Sequence, residues 1–393
     1  MPPAGDSKER VTQIMTVNNM NTFHSLATAA ALLASFALST TNLAQGSLTP
    51  PPGPITPVMK SLDQLEPRTP LSEGTTPGGD DGTFRGVFRI NAPGSYYLTT
   101  NLTVATGFDG IEVNSDGVTI DLAGFTITGQ TGSRVGIRGK GNPRRGLVVR
   151  NGGLRGLGTH GIENFSNARD NRFEDLVISG CGGSGIFAGN ALVRNCAVSQ
   201  CTNLGIFLQG QAGSLVEGCA ASGNSDGIIV ANGIISRCSA VGNTDIGLSV
   251  GNSGSIRDCH VEGSVIGVNG ANLSVTGCTI RNCSTGISVN ISCQLTGNLI
   301  VADTLRAGST GISFGFSGHR VEQNTIFRMA TGIRGTGAGS LIVGNSFRDT
   351  TSALNVVAGN RVGALLTGAS SGAINGNTGG GLGTTDPNAN LIY

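Results

Sequence analysis

Cationic side chains are unevenly spread along this chain, and their clustering is the first feature with chemical meaning. Nine of the 25 Lys and Arg residues (Arg134, Arg138, Lys140, Arg144, Arg145, Arg150, Arg155, Arg169 and Arg172) fall within residues 131–172, where only Glu163 and Asp170 oppose them. A guanidinium presents a planar fork of donors that matches a carboxylate or sulfate bidentately. Arg138, Lys140, Arg144, Arg145 and Arg169 are therefore candidate binding residues for an acidic polysaccharide. Eliminative cleavage of a uronate chain would need more: a cation to neutralise the sugar carboxylate and a base for the C5 proton. Arg150, Arg172 and His160 are the candidates for those catalytic roles, and Asp170, Glu174 and Asp175 offer the hard oxygen ligands that Ca²⁺ would require in such a lyase. A binder calls for no cofactor. The same cations could instead form a solvated flank that keeps the molecule soluble, and composition leaves both readings open.

Other chemistries find less support. A net charge of +1 creates no global field for nucleic acid or anionic membrane. With no Trp and three Tyr, aromatic platforms for neutral sugars are scarce. All nine cysteines lie between Cys181 and Cys293, none in the CxxC spacing of zinc and iron–sulfur sites, and their odd number leaves at least one thiol unpaired in an oxidising compartment.

What must position the cationic cluster is a repeat. A Gly followed by an apolar residue recurs at Gly110, Gly136, Gly161, Gly185, Gly205, Gly227, Gly247, Gly267, Gly286, Gly311 and Gly332, at a mean spacing of 22.2 residues. In step runs a second column: Gly152, Leu176, Cys196, Cys219, Cys238, Cys259, Cys278, Asn298, Asn324, Asn345, Asn360 and Asn377. Residues three before and, with one exception, two after each member are apolar, while those two before are mostly polar. Immediately before the column stand Asn151, Asp175, Asn195, Gly218, Arg237, Asp258, Gly277, Gly297, Gln323, Gly344, Gly359 and Gly376; ten of these twelve are Gly, Asn or Asp, which tolerate positive φ. The chain is expected to turn a corner there in every repeat through one left-handed residue, because an unbroken strand would send positions five apart to opposite faces.

Short β-branched strands, a tight corner and this period describe an all-β solenoid of about twelve coils of roughly 22 residues, a parallel β-helix. In it Val118, Ile120 and Leu122 face inward, and the Cys and Asn column forms a buried ladder of small residues. Marker spacings of 26, 25 and 24 across the cationic stretch imply loops around 139–146 and 164–171, and loops on a rigid rod are where function is usually carried. The last two column spacings fall to 15 and 17, so the solenoid should taper, with 388–393 covering its open end.

At the N-terminus, residues 26–38 form one apolar run, too short to span a bilayer, followed by the small-x-small sequence Ala44-Gln45-Gly46. Residues 1–46 read as a signal peptide whose true start is Met15 or Met20, and no later run could cross a membrane. Residues 47–82 read as a Pro- and Gly-rich linker with a short N-terminal cap, and 83–393 as the solenoid. The chain is thus expected to be exported, to the periplasm, the cell surface or the medium.

The coil pattern, together with Pro93-Gly94-Ser95-Tyr96-Tyr97-Leu98, residues 117–125 (GVTIDLAGF) and the ending Asp386-Pro387-Asn388-Ala389-Asn390, resembles exported right-handed parallel β-helix proteins of the pectate-lyase-like superfamily over roughly residues 83–393. The resemblance implies the handedness and the fold; its activities range from lyases and hydrolases to adhesins. The Asn-Thr-Asp motif of polygalacturonase-like hydrolases and the Trp- and His-based motifs of pectate lyases are absent here. The expected function is a binding or structural rod that engages acidic polysaccharide through its basic flank. The alternative is a polysaccharide lyase with a site near 138–175, and a self-associating surface component is a third class.

Overall fold

The computed structural model describes residues 68–393 apart from 81, 83–84, 142–143, 166, 211–212 and 368–385. Residues 1–46, expected to be a signal peptide, and the stretch 47–67 lie outside the described residues.

Three short strands make each coil, and each pairs in parallel with its counterpart one coil on. In one central coil they are 171–174 and 177–179, the two arms of Asn171–Ser179, and then Ile186–Ala188. Stacking them yields three long parallel sheets, termed I, II and III in that order. Sheet I runs from Thr69–Pro70 through Gly94–Tyr97 and Val118–Asp121 to Arg361–Val362, a ladder of fourteen rungs among the described residues. The count exceeds twelve because three coils precede the first member of the repeat column. The third coil turns this corner through Leu122 to Phe125, with neither a Cys nor an Asn to announce it. Within the segment assigned to the cap, Thr69–Pro70 is already a rung, and Pro77–Asp80 pairs antiparallel with Arg85–Ile90 to close that edge.

The corner between sheets I and II is built as the residue types require. All eleven described residues immediately before the column have positive φ, from 50° at Asn195 to 89° at Gly359. Arg237 at 52° and Gln323 at 56° adopt it as well, although neither is a turn former, so the stacked coils impose the conformation. Inside, Ile111, Ile137, Ile162, Ile186, Ile206 and Ile228 stack in register with no exposed surface, as do Val118, Ile120 and Leu122 of the third coil. The thiols of Cys196, Cys219, Cys238, Cys259 and Cys278 are buried and donate to carbonyls two residues back. The ladder continues in asparagine: Oδ1 of Asn324 accepts from N and Nδ2 of Asn298 at 3.1 and 2.9 Å, and Oδ1 of Asn345 does the same for Asn324 at 3.0 and 3.0 Å. Each buried amide is thus satisfied by the next coil.

The marker glycines serve a different need. None has positive φ. A Cβ placed on Gly136, Gly161, Gly205 or Gly227 would lie 2.4–2.7 Å from the carbonyl oxygen of the next marker glycine. The column is a line of backbone-to-backbone approaches that no side chain fits. Gly227→Ala puts its methyl 2.4 Å from the Gly247 oxygen and 2.9 Å from Nδ2 of Asn243. We expect it to lower stability by about 1–3 kcal/mol, as overpacking does. Urea unfolding checks this; an unchanged midpoint would show that the coils can spread there.

At the C-terminal end the expected taper does not occur. Val362 pairs with Ile342, so the final coil keeps a step of 20 residues. Asn360 is not in the ladder: its Oδ1 accepts from Ser340 N, and its Nδ2 donates to the carbonyls of Gly337 and Val357. Val357, expected inside, is exposed. Its apolar type three places before an Asn mimics the repeat without occupying it. Asn377 lies outside the described residues. The ladder place after Asn345 belongs to Asn390, whose Oδ1 accepts from N and Nδ2 of Asn345 at 3.0 and 3.1 Å. Asn390–Ile392 does not cover the end; it is itself a rung, paired with Ser346–Arg348 on one side and Leu365–Thr367 on the other.

Candidate functional site

Sheet I carries an outward row one side chain wide: Thr119, Val148, Arg172, Leu192, Leu215 and Ile234 stand in register on successive coils. An outward row rich in Val and Leu is unusual on a wetted face, and here it forms the floor of a groove of about 760 Å³. Val148, Leu192 and Leu215 make the floor, Arg172 rises from it, and Asn167, Arg169 and Asp170 form one wall.

The wall is part of the corner between sheets III and I, and buried amides hold it. Nδ2 of Asn164 donates to the Arg144 carbonyl and to Oδ1 of Asn171, both at 2.9 Å, while its Oδ1 accepts from Arg144 N. Nδ2 of Asn171 donates to the Asn190 carbonyl at 2.9 Å. Ala168 is fully buried beneath the loop. Asn164 therefore ties the loops of two successive coils together. The Gly146 N–H donates to the Arg169 carbonyl at 2.9 Å, which places Arg145 and Arg169 at the same corner of adjacent coils, both exposed. Asp170 takes φ of 60°, a left-handed turn that an Asp tolerates, and opens the strand that carries Arg172. Arg172 is more than half exposed and lies 3.8 Å from Glu174, so that pairing holds it weakly. Arg169 and Arg172 thus line an apolar-floored groove, and the exposed Arg145 adjoins it beside the lining residue Gly146.

The other candidates are dispersed. Arg138 is buried on sheet III. Its Nε lies 3.0 Å from Oδ2 of Asp109, and its Nη1 lies 3.0 Å from Oε2 of Glu163. It stands in an outward row that reads Arg89, Glu112, Arg138, Glu163, Phe187, Phe207, an alternating ion ladder that runs into aromatic rings. This side chain is occupied by the fold. Arg144 is half-buried, with Nη2 donating to Oδ1 of Asn114, and Lys140 is half-buried on the same loop. Arg150 lies on the neighbouring outward row of sheet I, where its Nη2 is 3.3 Å from Oδ2 of Asp121. His160 precedes the sheet III strand Ile162–Asn164, on the far side of that sheet from the groove. The three side chains considered for catalysis are therefore divided between two faces of the coil. Asp170 and Asp175 open and close one strand arm, roughly 16 Å apart at strand rise, and Glu174 turns to Arg172. These carboxylates do not converge, and among the described residues no cluster of three or more His, Cys, Asp or Glu could hold a metal ion.

Sequence reasoning missed the apolar floor. The signal was present four places before the repeat column, where Val148, Leu192, Leu215 and Ile234 occupy positions that alternation turns outward.

His160 stacks on Phe187 with ring centroids 5.2 Å apart, and its Nδ1 accepts from Ser184 N. Desolvation lowers its pKa, with Glu163 opposing and Arg138 assisting. His319 is similar: its Nδ1 accepts from Cys293 N, its Nε2 meets the Asn290 carbonyl at 3.0 Å, and burial again lowers its pKa. A group with a depressed folded pKa binds its proton better in the unfolded chain. The stability tied to its neutral form is complete above the free value of about 6.5 and declines as the pH falls below it. His319→Asn keeps one acceptor and one donor, so the loss of melting temperature between pH 7.5 and 5.5 should become smaller than in the parent. Equal slopes would assign the acid sensitivity elsewhere.

Residues 142–269 match the family described as right handed beta helix region, and the chain is a right-handed parallel β-helix. Among solved structures it is similar to the A-module of Azotobacter vinelandii mannuronan C-5 epimerase AlgE6, at 17% identity and a TM-score of 0.56, over 69% of this chain and 89% of that one. The AlgE4 A-module of the same organism is similar at 16% identity and a TM-score of 0.57, over 68% and 90%. Likeness at this level concerns the fold. No curated protein matches the chain. Among the described residues no helix is long and apolar enough to cross a membrane.

Proposed function

We propose that this right-handed parallel β-helix is an exported rod that binds an acidic polysaccharide along the sheet I groove. The placing of the exposed Arg169 and Arg172 on a floor of Val148, Leu192 and Leu215, with the exposed Arg145 next to the lining residue Gly146, carries the reading. A uronate chain presents carboxylates on its edges and C–H patches on its ring faces. Guanidinium forks meet the first, and an apolar floor meets the second. Two solved structures of similar fold are modules of enzymes named for mannuronan, a polymer of a uronic acid, which supports the choice of ligand class. Binding without chemistry is favoured because His160 stands apart from Arg150 and Arg172.

The test is to offer the purified protein a panel of uronate polymers and to record both salt-dependent retention and absorbance near 232 nm, with and without Ca²⁺. Retention on a uronate polymer with flat absorbance is the expected outcome. Rising absorbance would establish the lyase alternative, and no retention on any polymer would overturn the groove as an acidic-glycan site.

A further inference from the structure

The end of the solenoid is assembled out of sequence order. In sheet I the final coil stacks directly, with Leu341 and Ile342 opposite Arg361 and Val362. In sheet II the corresponding strands, Ser346–Arg348 and Leu365–Thr367, do not pair with each other; Asn390–Ile392 lies between them. The inserted strand is gripped from both sides. Leu391 N donates to the Asn345 carbonyl at 2.8 Å and Tyr393 N to the Phe347 carbonyl at 3.0 Å, while Asn390 N donates to the Ala364 carbonyl at 2.7 Å. Asn390 is fully buried, and besides accepting from Asn345 it donates through Nδ2 to the carbonyls of Ile342 and Gly363, both at 3.2 Å. Without this strand the backbone N–H of Asn345 would lose its acceptor, and the last strand of sheet II would lose the partner it pairs with.

We propose that this gap is a β-strand acceptor that also takes the C-terminal strand of a second copy of the chain, so that two rods exchange ends. Recognition is carried by main-chain hydrogen bonds and one asparagine, as in strand addition to an open sheet edge, and nothing in it distinguishes the molecule's own strand from an identical one. Connectivity does not enforce the choice. Thr367 and Asn390 lie on neighbouring strands, yet 22 residues join them. A connection of that length can reach about 70 Å when extended. Exchange of an identical element between protomers then creates no contact that the monomer lacks, and it is favoured as protein concentration approaches the effective concentration of the tether.

Ser346 and Leu391 stand opposite each other in register and are both half-buried, so a short bismaleimide can join cysteines placed there. The double variant S346C with L391C in one full-length chain is the control and should cross-link within the monomer. Two singly substituted full-length chains, mixed and incubated at high concentration, should give a cross-linked dimer. Its yield should rise with protein concentration and fall at least fivefold with excess peptide of residues 386–393, or when Asn390→Ala is added to the L391C chain. If the control closes internally while the mixed chains stay monomeric at every concentration, the proposal is overturned. A dimer yield indifferent to both peptide and Asn390→Ala would overturn it too, because the dimer would then form elsewhere. Neither readout depends on any polysaccharide.

Discussion

The triple substitution of Arg145, Arg169 and Arg172 by alanine should weaken binding to a uronate polymer by ten- to a hundredfold while leaving the melting temperature within a degree or two. The three guanidinium groups are exposed or only weakly engaged, so the folded protein loses little when they go. Each cation–carboxylate contact at a wetted surface contributes about 0.5–1 kcal/mol, and three together come to roughly 1.5–3 kcal/mol, which is the stated range in affinity. The dependence of binding on salt should flatten in the same variant, since fewer cations are screened. Arg194→Ala is the matched control: it removes an exposed Arg of sheet I that already pairs with Glu217 at 2.9 Å and does not line the groove. A loss of binding free energy in the control equal to one third of that in the triple variant would show that net charge, not the groove, sets the affinity.

The second large effect runs the other way, with stability lost and binding kept. Arg138→Met should destabilise the protein by about 3–5 kcal/mol, because Asp109 and Glu163 would remain buried without their shared cation. Asp109 has no exposed surface, and its Oδ1 also accepts from Val135 N, so it cannot turn to water without breaking the local backbone. Adding Asp109→Asn and Glu163→Gln should recover a good part of the loss, since neutral amides tolerate the site better than stranded carboxylates. Urea unfolding measures both steps. At a temperature where the single variant is still folded, its affinity for a uronate polymer should equal that of the parent. A selective loss of affinity would instead return Arg138 to the binding residues.

The two Arg groups were indistinguishable in the amino-acid sequence, and the reason is geometric. Arg138 and Arg172 have the same residue type in similarly long coils, but one falls opposite Asp109 and Glu163 on sheet III, the other between Val148 and Leu192 on sheet I. Which carboxylate meets which guanidinium depends on register across coils some 25 residues apart, and composition carries no register. The corners were legible because they impose a local backbone demand that Gly, Asn and Asp reveal. The stretch before the first column member was not, since Val118–Asp121 turns its corner through four residues, Leu122 to Phe125, where later coils use two. The last coil was misread because Asn390 reaches its rung from outside the period altogether.

One regularity of the corner between sheets I and II has a consequence for how such a protein can change over generations. From Val149 and Leu154 to Ile342 and Phe347, ten successive coils place the inward residue of sheet II five positions after that of sheet I, without exception. The step from sheet III back to sheet I is variable: eleven positions from Ile162 to Phe173, seven from Ile186 to Val193, ten from Ile206 to Val216. Differences in length between coils are therefore found at the edge between sheets III and I, and none occurs over these ten coils at the edge between sheets I and II. A single residue added at the constant edge would turn every following side chain of that strand inside out. At the variable edge it only lengthens a loop. Lineages of this protein are thus free to explore new binding loops beside the groove, coil by coil, while the opposite edge keeps the frame in which those loops are read.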